Sequence, residues 1–360
     1  MDKEKILVLR LSAVGDILRT LPAVKALKER FPHSSIAWIT EEPAEALLKS
    51  QPEIDRVILF PRRRWAKGIR SPKTLSGTIV EMVRFVKRLR REGYGVCLDF
   101  HGSLKSGLLA FLSGSPRRVG YDRRSVKEGN FLFSNEKVAL PQEKISRYER
   151  NVLLLKGMGI EGGRVEPYLH IPREDRQYIE EFSRESLNDT KRPWVAIHPG
   201  TSSRTVYKRW MADRYAQLAD RLTEELGATV LFTWGPGEKE WVQGIQGQMR
   251  RTSVLAVETF SLTQLAEIFR RCDLYIGGDT GPTHLASFVR TPVVVIYGPT
   301  DPVINEPYGV HRKVRRAVGC NPCRKRSCRE LRCLQAVKVE DVFRAAREML
   351  GVGRTMDSGP

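Results

Sequence analysis

The stretch YIGGDTGPTHLASFVRTPVVVIYGPTDP, residues 275–302, decides the fold class because it contains a strand, a loop, a helix and a second strand in order. The apolar run before Asp279 is typical of a buried strand, and the apolar residues after the loop follow helical spacing as far as the run PVVVIYGP. Strands that alternate with helices in this way predict a parallel sheet covered on both faces.

The same alternation runs through both halves of the 360-residue chain, with KILVLRL, SIAWIT and GVCLDF before the middle and WVAIHPG and ATVLFTW after it. Two Rossmann-like domains are therefore predicted, with ligands bound beyond the carboxyl ends of their strands. The predicted divisions are an N-terminal domain at 1–172, a charged linker at 173–193, a C-terminal domain at 194–350 and a disordered tail at 351–360.

The formal net charge of +19 predicts an anionic partner, which could be nucleic acid, an anionic membrane face or a phosphorylated substrate. Basic residues are densest in four clusters, at 62–70, 84–91, 117–124 and 311–316, and each has a solvated face as its alternative interpretation. No apolar run reaches the roughly 18 residues that span a bilayer. The charged first residues lead into a strand-like run and not into a signal peptide, so we expect a cytoplasmic protein.

The loop at Asp279 is suited to hold a phosphate, because exposed amide groups and the helix dipole meet at the start of the following helix. Thr280 adds a hydroxyl group, and Gly281 removes a side chain that would block approach. His284 lies about one turn further along the helix and could reach the same anion. The alternative is a capped turn with a hydrogen-bonded histidine.

Two further strand ends in the C-terminal half carry polar residues. In HPGTSSRTVYKRW, residues 198–210, Thr201, Ser202 and Lys208 are suited to hold a diphosphate without a metal, although a polar surface loop would look the same. In WGPGE, Glu238 could accept hydrogen bonds from two ribose hydroxyls, as the acid of dinucleotide sites does. Its alternative is an acid that complements a helix dipole.

The first strand of the chain ends at SAVGD, where a dinucleotide site would carry G-x-G-x-x-G. This loop has one glycine, and the acid Asp16 follows it immediately. A carboxylate repels phosphate, so a nicotinamide oxidoreductase is disfavoured and Asp16 needs another role.

Taken in order, SAVGD, HPGTSS, GPGE, GGDTGPTHLA and YGPTDP resemble glycosyltransferase family 9, the bacterial lipopolysaccharide heptosyltransferases I and II, from about residue 5 to 345. The resemblance implies an α/β protein of the GT-B class, in which two Rossmann-like domains with parallel sheets face a central cleft. It implies inverting, metal-independent transfer of heptose from ADP-heptose to the inner core (Kdo or heptose) of lipopolysaccharide on lipid A.

The resemblance makes the N-terminal domain the acceptor-binding domain and the C-terminal domain the nucleotide-sugar-binding domain. It also assigns roles to the donor-binding residues and to a catalytic base. Asp16 falls where the family has its catalytic base, Lys208 and the helix start would hold the diphosphate, and Glu238 would face the ribose. Asp279 would face the heptose, and His284 matches a histidine of the motif. The donor-binding set is Thr201, Ser202, Lys208, Glu238, Asp279, Thr280, Gly281 and His284.

On the acceptor side, Arg63, Arg64 and Lys67 resemble the basic loop of heptosyltransferase I more than that of II, and Lys105 in FHGSLKS matches a second acceptor motif. The implied partners are ADP-heptose, Kdo-lipid A or heptosyl-Kdo-lipid A, and the cytoplasmic face of the inner membrane, to which the protein would be peripheral. The implied chemistry needs no cofactor.

Two rival functions stay open at this stage. One is an enzyme of similar architecture that uses another nucleotide sugar, either a transferase or an epimerase. The other is a basic nucleic-acid-binding protein, which the charge alone suggests. The chain lacks a nucleic-acid recognition motif, and its basic clusters are not interleaved with stacking aromatic residues, so no nucleic-acid partner is expected.

The remaining motif is a C-x₂-C-x₄-C-x₄-C cluster formed by Cys320, Cys323, Cys328 and Cys333. Four thiolates suit structural zinc, and a reduced loop without metal is the alternative. Zinc bound here would be structural, because the chemistry needs no open coordination position.

Overall fold

The computed structural model describes residues 4–126, 128–161, 166–323 and 325–356, with side chains as far as 351. The chain divides into two compact units, Met1–Tyr168 and Leu169–Pro360. Within the described residues, each unit contains one six-stranded sheet whose strand pairs are parallel.

The first unit has the strand order β3-β2-β1-β4-β5-β6. Its strands are β1 (Lys5–Leu9), β2 (Ser35–Thr40), β3 (Arg56–Leu59), β4 (Val96–Asp99), β5 (Arg117–Tyr121) and β6 (Glu136–Val138). Its helices are α1 (Val14–Leu18), α2 (Leu21–Arg30), α3 (Glu45–Lys49), α4 (Arg62–Ile69), α5 (Pro72–Arg91), α6 (Leu104–Leu112) and α7 (Arg147–Leu154), with 3₁₀ turns at Glu42–Ala44, Asn130–Leu132 and Leu155–Met158.

The second unit has the order β12-β11-β10-β7-β8-β9. Its strands are β7 (Trp194–His198), β8 (Thr229–Phe232), β9 (Val254–Leu255), β10 (Leu274–Gly278), β11 (Val293–Ile296) and β12 (His311–Val314). Its helices are α8 (Arg173–Ser186), α9 (Ala212–Leu226), α10 (Lys239–Gln246), α11 (Leu262–Arg270), α12 (Gly281–Phe288), α13 (Arg332–Gln335) and α14 (Val339–Met356), with a 3₁₀ turn at Ser203–Lys208.

Helix α8 occupies most of the stretch 173–193 that the sequence predicted as a linker. Its charged sequence also carries Ile179 and Phe182 on one helical face, and both are buried. The carboxylate of Asp175 accepts hydrogen bonds from Ser261 (3.0 Å) and Thr263 of the same unit. The stretch is therefore part of the second unit's packing, and its high charge marks only the solvent face of a helix.

The predicted tail at 351–360 also differs from the structure, because α14 continues to Met356. Residues 357–360 lie outside the described residues. Phe343, Ala346 and Met349 of this helix are buried in the core of the second unit, which anchors the helix on the sheet.

The two parallel sheets, each with helices between its strands, confirm the predicted α/β fold of two Rossmann-like domains. In the described part of the chain, no helix combines the length and the apolar character needed to cross a membrane.

Candidate functional site

Asp16 lies in the first turn of α1, just beyond the carboxyl end of β1. Strand β1 is buried and central in its sheet, so the loop after it opens at the edge where parallel sheets bind ligands. The helix that starts here is short, and Pro22 in the first turn of α2 begins a second helix after Thr20.

Three arginines surround the carboxylate of Asp16. The Arg10 guanidinium is 2.8 Å from Oδ2, while Arg19 and Arg147 are 2.9 and 2.6 Å from Oδ1. Burial alone would raise the pKa of Asp16, but the charges of Arg10, Arg147 and Arg19 hold it far below the usual range of an aspartate. The carboxylate therefore stays ionised at neutral pH, and the cluster keeps a surplus of positive charge.

His101 lies close to this cluster, in the loop after β4. Burial lowers the pKa of His101 to about 4, and the charge of Arg10 acts in the same direction. The ring is therefore neutral at physiological pH. The loop is fixed by the buried Asp99, which accepts hydrogen bonds from Ser106 (2.8 Å), Asn130 (2.8 Å) and the amide groups of His101 and Gly102.

The predicted acceptor residues lie on the same unit. Arg63, Arg64 and Lys67 are exposed on α4, whose buried Trp65 packs edge-on against Phe60 and Phe85. Arg64 forms an ion pair with Glu81 of α5, whereas no ion pair involves Arg63 or Lys67 in the part of the chain that is described. Lys105 is exposed in the first turn of α6.

In the second unit, Glu238 is buried beside the strand end of β7. Its carboxylate accepts hydrogen bonds from the amide of Thr201 (2.8 Å), the amide of Gly235 (3.1 Å) and the Arg209 guanidinium (2.7 Å). A Cβ at Gly200 would meet the Glu238 carboxylate, so a larger residue there would displace that carboxylate from its present place. Glu238 therefore fixes the loop 200–209 onto the strand end.

Lys208 and Asp279 meet at the start of α12. The Lys208 ammonium donates to the Asp279 carbonyl oxygen (3.0 Å) and lies 3.4 Å from its carboxylate, and the buried His284 ring is 3.4 Å from the same carboxylate. Thr280 is the N-cap residue and makes no side-chain cap hydrogen bond, and Gly281 begins the helix. The structure thus brings Lys208, Asp279, Thr280, Gly281 and His284 together at one helix N-terminus.

The two hydroxyl residues of the HPGTSS motif have different surroundings. Thr201 is buried, and its carbonyl oxygen accepts a hydrogen bond from Arg209 (3.0 Å). Ser202 is exposed and its hydroxyl pairs with that of Thr205 at 2.9 Å. The buried His198 at the end of β7 contacts Thr233, and burial lowers its pKa to about 4.

The four C-terminal cysteines are free thiols, and among the described residues no group of three or more His, Cys, Asp or Glu is arranged to hold a metal ion. Burial raises the pKa of Cys333, and the nearby Cys320 and Cys323 add to the effect. Cys320 is exposed and Cys333 is in the core. Zinc at these four cysteines therefore stays a prediction.

Sequence analysis missed the residues that pair with the carboxylates: Arg10, Arg19, Arg147, Arg209 and the neutral His101. Arg209 stands directly after Lys208 and could have been noticed there. Arg147 is 131 positions from Asp16, so nothing in the local sequence connects the two.

Comparisons with known proteins show which family the chain resembles. The model of glycosyltransferase family 9 (heptosyltransferase) matches residues 82–334. Lipopolysaccharide heptosyltransferase 1 of Pseudomonas aeruginosa is 28% identical over 333 residues, which cover 90% of this chain and 87% of that protein. Lipopolysaccharide heptosyltransferase 1 of Escherichia coli K12 is 25% identical, with 87% and 93% covered.

Among solved structures, a family 9 glycosyl transferase from Veillonella parvula is similar, with a TM-score of 0.75, 23% identity, and 98% of this chain and 99% of that chain covered. The E. coli heptosyltransferase WaaC with ADP has a TM-score of 0.73 and 22% identity, with 96% and 99% covered. These likenesses confirm the predicted GT-B fold class. The family model spans more than half of the sequence, so the chain belongs to glycosyltransferase family 9, the heptosyltransferase family, and is a glycosyltransferase.

Proposed function

We propose that this glycosyltransferase moves heptose from ADP-heptose to the inner core of lipopolysaccharide, with Kdo or heptose on lipid A as the acceptor. The observation that carries the proposal is that each unit has charged side chains at the loops after its strands. The second unit has Lys208 at a helix N-terminus, and the first has an ionised Asp16 among arginines. The named relatives, which are lipopolysaccharide heptosyltransferases, support the same substrates.

The second unit would bind the donor. The amide groups at the start of α12 and the Lys208 ammonium would hold the diphosphate, and they would stabilise the charge that develops on departing ADP. Asp279 would face the heptose, with His284 holding its carboxylate in place. Thr201 and Ser202 would line the diphosphate loop.

Glu238 would face the ribose, but it would accept fewer hydrogen bonds from ribose hydroxyls than the sequence predicted. A carboxylate has about four acceptor sites, and three protein donors already occupy this one. The geometry therefore leaves room for one ribose hydroxyl and not for two.

Asp16 would be the general base that takes the proton from the acceptor hydroxyl as that oxygen attacks the anomeric carbon. A single in-line displacement of this kind inverts the anomeric configuration. The low pKa of Asp16 keeps the base ionised but makes it a weak proton acceptor, so we expect a contribution near the lower end of the usual range of about 10²–10⁴-fold.

The acceptor would bind on the first unit, where Arg63, Arg64, Lys67 and Lys105 present cations to its phosphate and acidic sugar groups. We propose that no metal takes part in the transfer, because Lys208 and the helix N-terminus can supply the stabilising charge. We further propose that the protein works in the cytoplasm at the inner membrane, where such an acceptor is presented.

The test is an in vitro transfer assay with purified protein. ADP-heptose is offered with Kdo-lipid A or with heptosyl-Kdo-lipid A, and product mass identifies the acceptor. Transfer to one of the two acceptors, with inverted configuration by NMR and no loss after chelation, is expected. Turnover of UDP-sugars in place of ADP-heptose would instead assign the chain to a relative with another donor.

A further inference from the structure

We infer that the outer face of α5 and α6 is a docking surface for an anionic lipid bilayer. The inference deepens the proposed function, since it concerns how an enzyme with a lipid-borne acceptor would reach it. It starts from apolar side chains that the first unit leaves exposed on these two helices.

Helix α5 has a buried side and an exposed apolar row. Phe85 and Leu89 are buried against the sheet. Leu75, Ile79 and Val83 follow one another at four-residue spacing on a different side, and Ile79 and Val83 are 49% and 46% exposed. A surface helix of a globular protein ordinarily carries polar residues on its outer face. This exposed row, continued by Val80, is therefore an exception that needs an explanation.

Helix α6 repeats the arrangement next to it. Its exposed row is Leu104, Leu108 and Phe111, at helical spacing, and Leu132 of the neighbouring 3₁₀ turn is 71% exposed. The two helices adjoin at their C-terminal ends, where the Arg90 side chain of α5 donates a hydrogen bond to the Leu112 carbonyl oxygen (3.0 Å). Phe85 and Leu89 of α5 share one core cluster with Leu109 and Ala110 of α6, so both helices cover the same side of the sheet and their exposed rows lie on its outer side.

Cations border this face. Helix α5 carries six lysines and arginines and one acid, and exposed Lys87 and Arg91 continue the apolar row at the same four-residue spacing. Beside α6, the Arg118 guanidinium lies 5.9 Å from the Phe111 ring. Apolar side chains that enter the acyl boundary and cations that meet anionic headgroups are the combination that binds amphipathic helices to membranes.

Two other occupants of this face, a second copy of the chain and a nucleic acid, are disfavoured. Two copies of this face would bring like charges together, which disfavours self-association. A nucleic acid would be met by aliphatic side chains where stacking aromatics are expected. The location also fits, because Lys105 lies in the exposed first turn of α6 directly after Leu104 of the apolar row, so one predicted acceptor residue borders the face.

The experiment is vesicle flotation of the full chain without donor or acceptor. Vesicles of phosphatidylcholine are compared with vesicles that also contain phosphatidylglycerol, at low and high salt. We expect binding to the anionic vesicles alone, weakened by salt. The double variant Ile79→Glu/Val83→Glu should bind at least about tenfold more weakly, and Lys87→Gln about fivefold more weakly.

The matched control is Val310→Glu, since Val310 is a similarly exposed valine (53%) in the other unit and should not change binding. Circular dichroism verifies that each variant is folded. Unchanged binding of the double variant, equal binding to neutral vesicles, or no binding by the natural chain would overturn the inference. Sedimentation velocity that shows the double variant breaking a dimer would do the same, with a second copy as the occupant.

The test is separable from the proposed function. All variants should keep their turnover on a deacylated, water-soluble acceptor, because the replaced residues lie outside the proposed binding set. Vesicle binding without any heptose transfer would refute the proposed function and keep the docking surface. Transfer to lipid-borne acceptor that the double variant retains in full would refute the docking surface alone.

Discussion

Asp16 and Asp279 each lie at the start of a helix that follows an inner strand of a six-stranded parallel sheet, yet their charge environments differ. Asp16 contacts three guanidinium groups. Asp279 contacts the Lys208 ammonium and the His284 ring at 3.4 Å each. The first unit thus has a surplus of positive charge around an ionised carboxylate. In the second unit, one cation, Lys208, lies 3.4 Å from one carboxylate, that of Asp279.

The difference in charge environment indicates how two similar folds could bind two different ligands. Under the proposed function, a diphosphate would carry its own charge into the second unit, and Lys208 could exchange its 3.4 Å contact with the Asp279 carboxylate for phosphate. An acidic acceptor in the first unit would need cations that remain in surplus after the charge of Asp16 is balanced, and the three arginines could provide them.

The largest expected effect comes from Asp16→Asn. The variant keeps the shape but cannot accept a proton, so kcat should fall at least about 100-fold while donor affinity barely changes. It should also lose stability, near the low end of the roughly 3–5 kcal/mol for breaking a buried pair, because three guanidinium groups lose their counter-charge. Steady-state kinetics and thermal melting measure both.

A matched control separates the loss of kcat from the loss of stability. Asp220 is a buried carboxylate in the second unit that accepts hydrogen bonds from the amide groups of Arg250 and Arg251. Asp220→Asn should lower stability and leave kcat intact below the melting range. Should folded Asp16→Asn protein retain more than about a third of the natural kcat, Asp16 is a structural anchor for the arginines and not the base.

This contrast also marks how far the sequence could predict the molecule. The strand–helix alternation, Asp16 in the loop after β1 and the Asp279–His284 motif follow from local patterns, because each lies within one βα unit. The contacts of Lys208 with Asp279 and of Arg147 with Asp16 could not be found that way, since 71 and 131 positions separate the partners and only the fold joins them. Helix α14 was missed although Phe343, Ala346 and Met349 have helical spacing.

The second prediction concerns Lys208→Met. Loss of a charged hydrogen bond to the diphosphate should raise the donor KM about 10–100-fold, with the acceptor KM unchanged. Lys239→Met is the control, since Lys239 is an exposed lysine of the same unit that lies over the Trp234 ring. An acceptor KM that rises in parallel would remove the assignment of the diphosphate to this unit.

The third prediction concerns the acceptor. Arg63→Glu/Arg64→Glu should raise the acceptor KM about tenfold and leave donor affinity unchanged. Arg63→Glu alone should account for most of this, because Arg64 already pairs with Glu81. The control is Arg250→Glu/Arg251→Glu, an exposed adjacent pair in the second unit. Equal losses for donor and acceptor would contradict the division of labour between the units.

The smallest effect is a shift in pH dependence from Arg147→Met. Burial pushes the pKa of Asp16 upward, and the charges of Arg10, Arg147 and Arg19 outweigh it. Removing Arg147, whose side chain is 43% exposed, weakens that attraction, so the pKa of Asp16 rises. The acid limb of kcat/KM should therefore move to higher pH, with little change in rate near neutrality.

The sign of the stability change follows from the same pKa. A carboxyl group whose pKa is depressed in the folded state contributes stability above its unfolded pKa of about 3.9, and that contribution is lost as the pH falls through the folded value. In Arg147→Met the loss should still begin near the unfolded pKa, but it should be smaller in total and end at a higher pH than in the natural chain, as melting curves on the acid side would show. Arg150→Met is the matched control, because Arg150 lies on the same helix but stacks on the Tyr121 ring at 4.1 Å. An acid limb that moves equally in both variants would mean that helix α7 acts through packing and not through the charge beside Asp16.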